Sequence, residues 1–323
     1  MIGERAPKNL IVFMERLAMQ KEKVDLSVII LTFNTRELLA KCLESISALD
    51  NGNFRIEVIV VDNASSDGSR EYLKSLKGGL KVIFSDQNLG FAGGNNLALR
   101  GARGRYILFL NSDTELAPSA LNKIIAFMDQ NPKVGASTAK TILFSGGMDP
   151  DCHRGFPTPW ASICYFLGLE NLFPKSKIFG QYHKFYENLD KVHEIDAGFG
   201  TFMIVRRKAL DEVGAWDESY FFYGEDLDLF YRIKKSGWRV MFYPEPLVTH
   251  HKGASSGLRK ESKEVTRADR ETRLKTAKAS IRAMEIFYEK FYKDKYPPLT
   301  TWVVILGIRI KGFFRIVNHY FKR

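Results

Sequence analysis

Three apolar runs that stop abruptly at small polar residues set the frame of this chain. LSVIILT (26–32) gives way to Phe33, Asn34 and an amphipathic segment, and RIEVIVVD (55–62) to a Ser/Asp/Gly-rich turn and a second such segment. ILFLNSD (107–113) stops at Asn111, Ser112 and Asp113. Unbroken apolar runs of this length fit strands buried on both faces, and the apolar spacing between them fits helices. Two strand-to-helix crossovers in a row predict parallel strands, whose carboxyl ends share one edge. Ligands of open α/β sheets bind at that edge. Phe33 and Asp62 are expected there side by side, an aromatic face and a carboxylate able to read a nucleotide base by stacking and by accepting from a ring N–H. Asp113, at the end of the third run, can supply oxygen to a hard divalent cation that clamps a diphosphate.

Further along, DLDLFYRIKKS (226–236) has apolar residues Leu227, Phe230, Tyr231 and Ile233 at helical spacing, which puts Asp226 in a first turn. A helix N-terminus favours an anion there. Asp226 and Asp228 point to different faces, so one of them is expected to reach a ligand. NLGFAGGNN (88–96) reads as a turn into a helix, in which Gly90, Gly93 and Gly94 allow close backbone approach and Asn95 and Asn96 offer side-chain hydrogen bonds. Residues 145–195 are broken by Pro150, Pro157, Pro159 and Pro174 and rich in aromatics. This stretch reads either as a functional insertion or as an ordinary packed excursion.

The ends of the chain differ from its middle. Residues 9–19 predict a short amphipathic helix, too broken by Glu15 and Arg16 for a signal peptide, within a basic N-terminal extension of residues 1–25. Residues 258–295 predict a helix bridging to a basic tail, LTTWVVILGIRIKGFFRIVNHYFKR (299–323). That tail lacks the uncharged run of ~20 residues a spanning helix needs, and it suits an anionic membrane surface or a dock on the protein's own core. Lys and Arg total 48 against 37 Asp and Glu, for a net charge of +11, and the excess lies mostly toward the two ends. Cys42, Cys152 and Cys164 form no C-x-x-C pair, which points to a reducing compartment.

Seven segments in order, SVIILTFNT, VDNASSDGS, NLGFAGGNN, FLNSDTEL, GFGTFMIVRR, FFYGEDLDLFYRIKKSGW and H-x-x-G-x-S (250–255), resemble the inverting family 2 glycosyltransferases of GT-A fold, and NLGFAGGNN resembles their rhamnosyltransferase-like branch. The resemblance spans about residues 26–256. It implies an α/β fold with a mostly parallel central sheet flanked by helices, a nucleotide-binding half (26–115), an acceptor-binding half (116–256) and a C-terminal helical extension (257–323). It further implies a nucleoside diphosphosugar donor (a dTDP- or UDP-sugar, possibly of rhamnose), a saccharide or polyprenyl-linked acceptor, and Mn²⁺ or Mg²⁺. Donor contacts are expected at Thr32, Phe33, Asn34, Asp62, Asn63, Asn88, Gly90, Asn95, Asn111, Ser112, Asp113 and Gly198. Asp226 is the expected base, with Glu225 and Trp160 on the acceptor side. The metal ligands are expected at Asp113 and His250, His251 being the alternative by one residue, after a short strand at 247–249. Asn111 stands where many relatives carry another Asp, which lowers the charge of the site. The expected location is the inner face of the cytoplasmic membrane, without nucleic acid.

Two other classes fit parts of the pattern. An NAD-dependent dehydrogenase shares a parallel sheet, but TFNTRE follows the first run where G-x-G-x-x-G belongs. A non-enzymatic membrane adaptor explains the basic ends and leaves Asp62, Asp113, Asp226 and His250 without a joint purpose. A processive polysaccharide synthase is disfavoured by the absence of Q-x-x-R-W and of multiple spanning segments.

Overall fold

The computed structural model describes residues 7–19, 23–49, 54–76, 78–144, 146–251 and 270–321. Its strands are β1 (Leu26–Thr32), β2 (Ile56–Asp62), β3 (Lys81–Phe84), β4 (Tyr106–Asn111), β5 (Thr114–Leu116), β6 (Val134–Leu143), β7 (His193–Glu194), β8 (Phe202–Arg206) and β9 (Arg239–His250). They form one sheet in the order β3-β2-β1-β4-β8-β6-β9-β5, with β7 added beside β9. The first half, β3 to β4, is parallel, as the crossovers predict, while β8 and β5 enter antiparallel and make the second half mixed. Register brings the strand ends level, with Thr32 opposite Asp62 and Leu31 opposite Asn111.

The helices are α1 (Lys8–Met19), α2 (Arg36–Ser47), α3 (Ser69–Ser75), α4 (Gly90–Leu99), α5 (Ala120–Gln130), α6 (Pro159–Phe166), α7 (Leu169–Leu172), α8 (Arg207–Val213), α9 (Glu225–Lys235), α10 (Arg270–Phe291) and α11 (Pro298–Phe321). Alternate residues of β1 enter opposite cores: Val28 and Ile30 pack with α2 and α5, and Ile29 packs with α4 and α9. Because both sides of the sheet are covered, β2 is apolar along most of its length and buried at all seven positions. The N-terminal helix belongs to the first of these cores. Leu10, Phe13, Met14 and Leu17 of α1 are buried in it, so the periodicity at 9–19 marks a face docked on the domain.

On α9, Leu229, Phe230 and Ile233 are buried in the sheet core, while Tyr231 turns to the aromatic rings of Phe287 and Phe291 on α10. Helices α10 and α11 run antiparallel, with Tyr288 beside Thr301 and Arg315 beside Ser280. At Gly312 they approach so closely that an added Cβ would sit 2.7 Å from Ile281 Cδ1. The tail is thus docked on one side and bare on the other, where Trp302, Phe313 and Phe314 are more than 60% exposed. No helix among the described residues is long and apolar enough to cross a membrane. The Lys/Arg-rich residues 252–269, including the latter part of H-x-x-G-x-S, lie outside the described residues.

Candidate active site

The level strand ends open on a cavity of about 340 Å³ lined by Phe33 after β1, Asn63 after β2, and Asn111, Ser112 and Asp113 at the end of β4. Its far wall is the loop Phe221, Phe222 and Tyr223 with Glu225 and Asp226 of α9, and α10 adds Lys275 and Thr276. A network of four residues fixes one corner. Asn63 Nδ2 donates to Asn88 Oδ1 and to the Gly90 carbonyl, both at 3.1 Å, and Asn63 Oδ1 accepts from the Leu89 amide at 2.9 Å. Gly90 has φ +74°, and a Cβ there would lie 2.2 Å from the Phe221 carbonyl oxygen, so the tight corner requires glycine.

Asp113 is buried beside His250, with Oδ1 3.4 Å from Nε2, and the Nδ1 side of the ring faces Asp149 Oδ2 at 3.4 Å. Burial alone would lower the pKa of His250, but the carboxylates of Asp113 and Asp149 outweigh it and lift the value to about 9. Asp113 Oδ1 accepts no hydrogen bond among the described residues although it is fully enclosed. A carboxylate oxygen and an imidazole nitrogen converging in this way can supply two ligands to a divalent cation, although no group of three or more His, Cys, Asp or Glu side chains among the described residues is arranged to hold one. His251 is engaged elsewhere, 2.8 Å from Glu115 Oε1 and stacked on Phe144.

A second cavity, of about 710 Å³, lies between the irregular segment after β6 and the helices α10 and α11. The two cavities meet at Phe199, Tyr223 and Asp226, which line both. Tyr223 holds φ +70° and Gly224 φ +86° as the chain turns into α9, and this left-handed pair aims the acidic first turn inward. Asp226 Oδ1 accepts from the Leu227 amide at 2.8 Å, and Oδ2 accepts from Arg154 Nη2 at 2.6 Å. Arg154 is itself held by the Gly198 carbonyl and by the Tyr182 hydroxyl. Burial raises the pKa of Asp226 above the ordinary carboxylate value, against the opposing pull of Arg154. Glu225 is driven up further, by burial and then by the charge of Asp226. Asp228 points away, to Arg232 and Lys290.

Residues 27–214 match the sequence profile of glycosyl transferase family 2. This chain is a family 2 glycosyltransferase. Among curated relatives, it is 25% identical over 259 residues to N-acetylglucosaminyl-diphospho-decaprenol L-rhamnosyltransferase of Mycobacterium tuberculosis, covering 72% of this chain and 78% of that one. It is also 25% identical over 220 residues to the low-salt glycan biosynthesis hexosyltransferase Agl10 of Haloferax volcanii, covering 67% of this chain and 64% of the relative. Among solved structures, GalNAc-T7 with UDP, GalNAc and Mn²⁺ superposes with TM-score 0.57 and 17% identity over 83% of this chain, which spans about half (48%) of that one. A mannosyltransferase of Pyrobaculum calidifontis with GDP-Man and Mn²⁺ gives TM-score 0.55 at 16% identity, over 97% of this chain and 80% of the other. The fold is therefore the GT-A fold expected from the sequence. Family membership sets aside the dehydrogenase and adaptor alternatives.

In this glycosyltransferase the expected site residues divide into two groups. Phe33, Asn63, Asn88, Gly90, Asn111, Ser112, Asp113, Glu225 and Asp226 line the first cavity, with His250 directly behind Asp113. Thr32, Asn34, Asp62, Asn95, Gly198 and Trp160 line neither cavity. Each has a structural engagement instead. Thr32 bonds Thr35, Asn34 accepts from the Ser66 amide, and Asn95 donates to the Phe91 carbonyl within α4. Asp62, fully buried, turns to Arg70 Nε at 3.2 Å and the Ser65 amide. Gly198 offers its carbonyl to Arg154, and Trp160, 44% exposed, donates to the Ile178 carbonyl. His250 ends a strand of 12 residues, longer than the short strand at 247–249 that the sequence suggests. Sequence reading missed Arg154, Tyr223 and Lys275. The proline-rich context of Arg154 carries no periodic signal, and Lys275 belongs to a helix that reads as a surface bridge.

Proposed function

We propose that this glycosyltransferase moves a sugar from a nucleoside diphosphosugar to a hydroxyl of a saccharide carried on a polyprenyl diphosphate, by a single inverting displacement. The observation that carries this reading is the position of Asp226, whose carboxylate lies on the boundary between two cavities. The donor occupies the first cavity, its base against Phe33 and its diphosphate near Asp113 and His250. The acceptor occupies the second. Asp226 takes the proton of the acceptor hydroxyl as its oxygen bonds to the anomeric carbon, and the bond from that carbon to the diphosphate breaks with its electron pair leaving on the nucleoside diphosphate. Attack from the side opposite the leaving group inverts the anomeric centre. Arg154 holds the Asp226 carboxylate toward the acceptor and keeps it ionised, while Glu225, expected on the acceptor side, lines the first cavity and not the second. Asp113 and His250 would hold Mn²⁺ or Mg²⁺, which when bound offsets charge on the departing diphosphate.

The Mycobacterium relative, whose name specifies a diphospho-decaprenol acceptor and L-rhamnose, supports dTDP-rhamnose as the first donor to try, with UDP-sugars next. We read residues 26–256 as the catalytic domain and 257–323 as a helical extension that brings it to the inner face of the cytoplasmic membrane. The test is transfer from dTDP-rhamnose and a panel of UDP-sugars to a polyprenyl-diphosphate-linked saccharide, with the product anomer assigned by NMR. Asp226→Asn keeps the shape and removes the proton acceptor, so turnover should fall ~10²–10⁴-fold with nucleotide affinity nearly unchanged. Near-normal turnover in that variant, or retention at the anomeric carbon, refutes the mechanism.

A further inference from the structure

The second cavity holds two cations that the transfer chemistry leaves unused. Lys311 and Arg315 stand one turn apart on α11, and both line the cavity whose other end reaches Asp226. Lys311 Nζ sits 3.9 Å from the ring centre of Phe166 and 5.4 Å from that of Tyr165, both on α6 at the opposite wall. Arg315 Nη1 donates to Ser280 Oγ of α10 at 2.7 Å. Neither cation has a carboxylate partner among the described residues, although neighbouring basic residues on the same helix pair do, as Arg309 with Glu285. Burial, and then the charge of Arg315, lower the pKa of Lys311 to about 8, the mark of an ammonium held without a counter-ion.

Around this pair the lining is apolar and open. Ile163, Phe166 and Val303 line the cavity and are also 46%, 54% and 52% exposed, so they mark its mouth. Trp302 and Phe313 of α11 are exposed as well but lie on the face of the helix turned away from this lining. From inside to outside the cavity offers a carboxylate at Asp226, tyrosines able to stack on a sugar ring, two cations without carboxylate partners among the described residues, and then an apolar rim. That sequence of chemistries matches an amphiphile with a hydroxylated head, a dianionic junction and a hydrocarbon tail.

We propose that Lys311 and Arg315 bind the diphosphate of a polyprenyl-diphosphate-linked acceptor, with its first isoprene units on Ile163, Phe166 and Val303; this deepens the acceptor assignment made above and rests on it. The tail helix is then a wall of the acceptor site as well as a membrane contact.

The test uses the full-length chain and farnesyl diphosphate as probe, titrated calorimetrically in EDTA so that metal-held diphosphate in the first cavity does not contribute. The parent should bind the probe, and the double variant Lys311→Gln/Arg315→Gln should bind it ~10-fold or more weakly, while farnesol binds both equally. Lys311→Arg/Arg315→Lys keeps both charges and should retain most of the affinity. The single Gln variants should show intermediate losses, which keeps the test decisive if the double variant melts early. No binding by the parent, or equal binding by parent and double variant, overturns the proposal. So does a double variant that leaves phosphatidylglycerol vesicles at low salt but still binds the probe, since the pair would then be a headgroup contact. Failure of every nucleotide sugar to yield product would sink the donor and acceptor reading, and Lys311/Arg315-dependent probe binding would stand apart from that failure.

Discussion

Removing Arg154 should shift the pH at which the enzyme turns on. In the parent, burial raises the Asp226 pKa and the guanidinium at 2.6 Å holds it back. An opposite charge at such range depresses a carboxylate by ~1–3 units, equivalent to ~1.4–4 kcal/mol between the two protonation states. Arg154→Gln leaves a hydrogen-bond donor of shorter reach and no charge. The acid limb of kcat/KM against pH should therefore move upward by ~1–3 units, with activity partly recovering at alkaline pH where Asp226 is ionised again. Stability should follow the same linkage. The folded pKa of Asp226 lies above its ordinary value of 3.8, so its contribution is favourable below that value and is lost as pH rises through the folded pKa. Arg154 limits this loss, so the variant should melt closest to the parent in acid and furthest below it at alkaline pH, where a buried charge without its partner costs ~3–5 kcal/mol. The assay is initial rate at sub-saturating acceptor from about pH 5 to about pH 10, a range that spans the shifted limb, beside thermal melts at the same pH values. An acid limb that stays in place, or a loss of activity equal at every pH, would show that Arg154 does not set the ionisation of Asp226.

Three further outcomes are expected. Asp113→Ala should weaken Mn²⁺-dependent binding of UDP or dTDP by ~10-fold or more, and His250→Ala less, by calorimetry with and without EDTA; binding like the parent's in both would remove the metal site. Gly90→Ala, which forces a Cβ to 2.2 Å from the Phe221 carbonyl at φ +74°, should cost more than ~1 kcal/mol in thermal unfolding and weaken nucleotide binding through the displaced Asn63 network; an unchanged melt would mean that the corner yields freely. Replacing Trp302, Phe313 and Phe314 together by Ser should release the protein from anionic vesicles with its melting temperature nearly unchanged, because all three are exposed; retention on vesicles would place membrane contact on another face.

The parallel half of the fold was legible because its strands are buried on both faces and so read as unbroken apolar runs. Their polar ends located the edge, and Phe33, Asn111, Ser112 and Asp113 stand on the cavity as that logic requires. Thr32, Asn34 and Asp62, read by the same logic, do not line the cavity. A residue at a strand end must also satisfy the turn that leaves it, and these three spend their polar groups on Thr35, Ser66, Arg70 and Ser65. Trp160 illustrates the limit for isolated aromatics, since nothing local says whether a ring faces a groove or, as here, bonds a neighbouring carbonyl. The tail posed a choice between docking and membrane contact that one periodicity could not resolve. Its helix buries one face on α10 and exposes apolar rings on the other, so the same spacing serves two surfaces.

The family match ends at residue 214, while Asp226, His250 and the helix pair all lie beyond it. The matched region builds the edge: strand ends, the Asn63 corner and Asp113. The chain beyond residue 214 supplies the acidic turn of α9 and closes both cavities, Lys275 and Thr276 on the first and α10 with α11 on the second. One contact that joins these regions at the site is the Arg154–Asp226 pair, in which an arginine from the irregular segment meets a carboxylate from the helix packed beneath α10. If the acceptor occupies the second cavity as proposed, a tail that walls that cavity and bears exposed apolar rings would tie acceptor capture to membrane contact, because one helix presents both surfaces. On that reading, change in acceptor preference among relatives would be sought in α6, α10 and α11, where this wall is built, and change in donor preference at the strand ends.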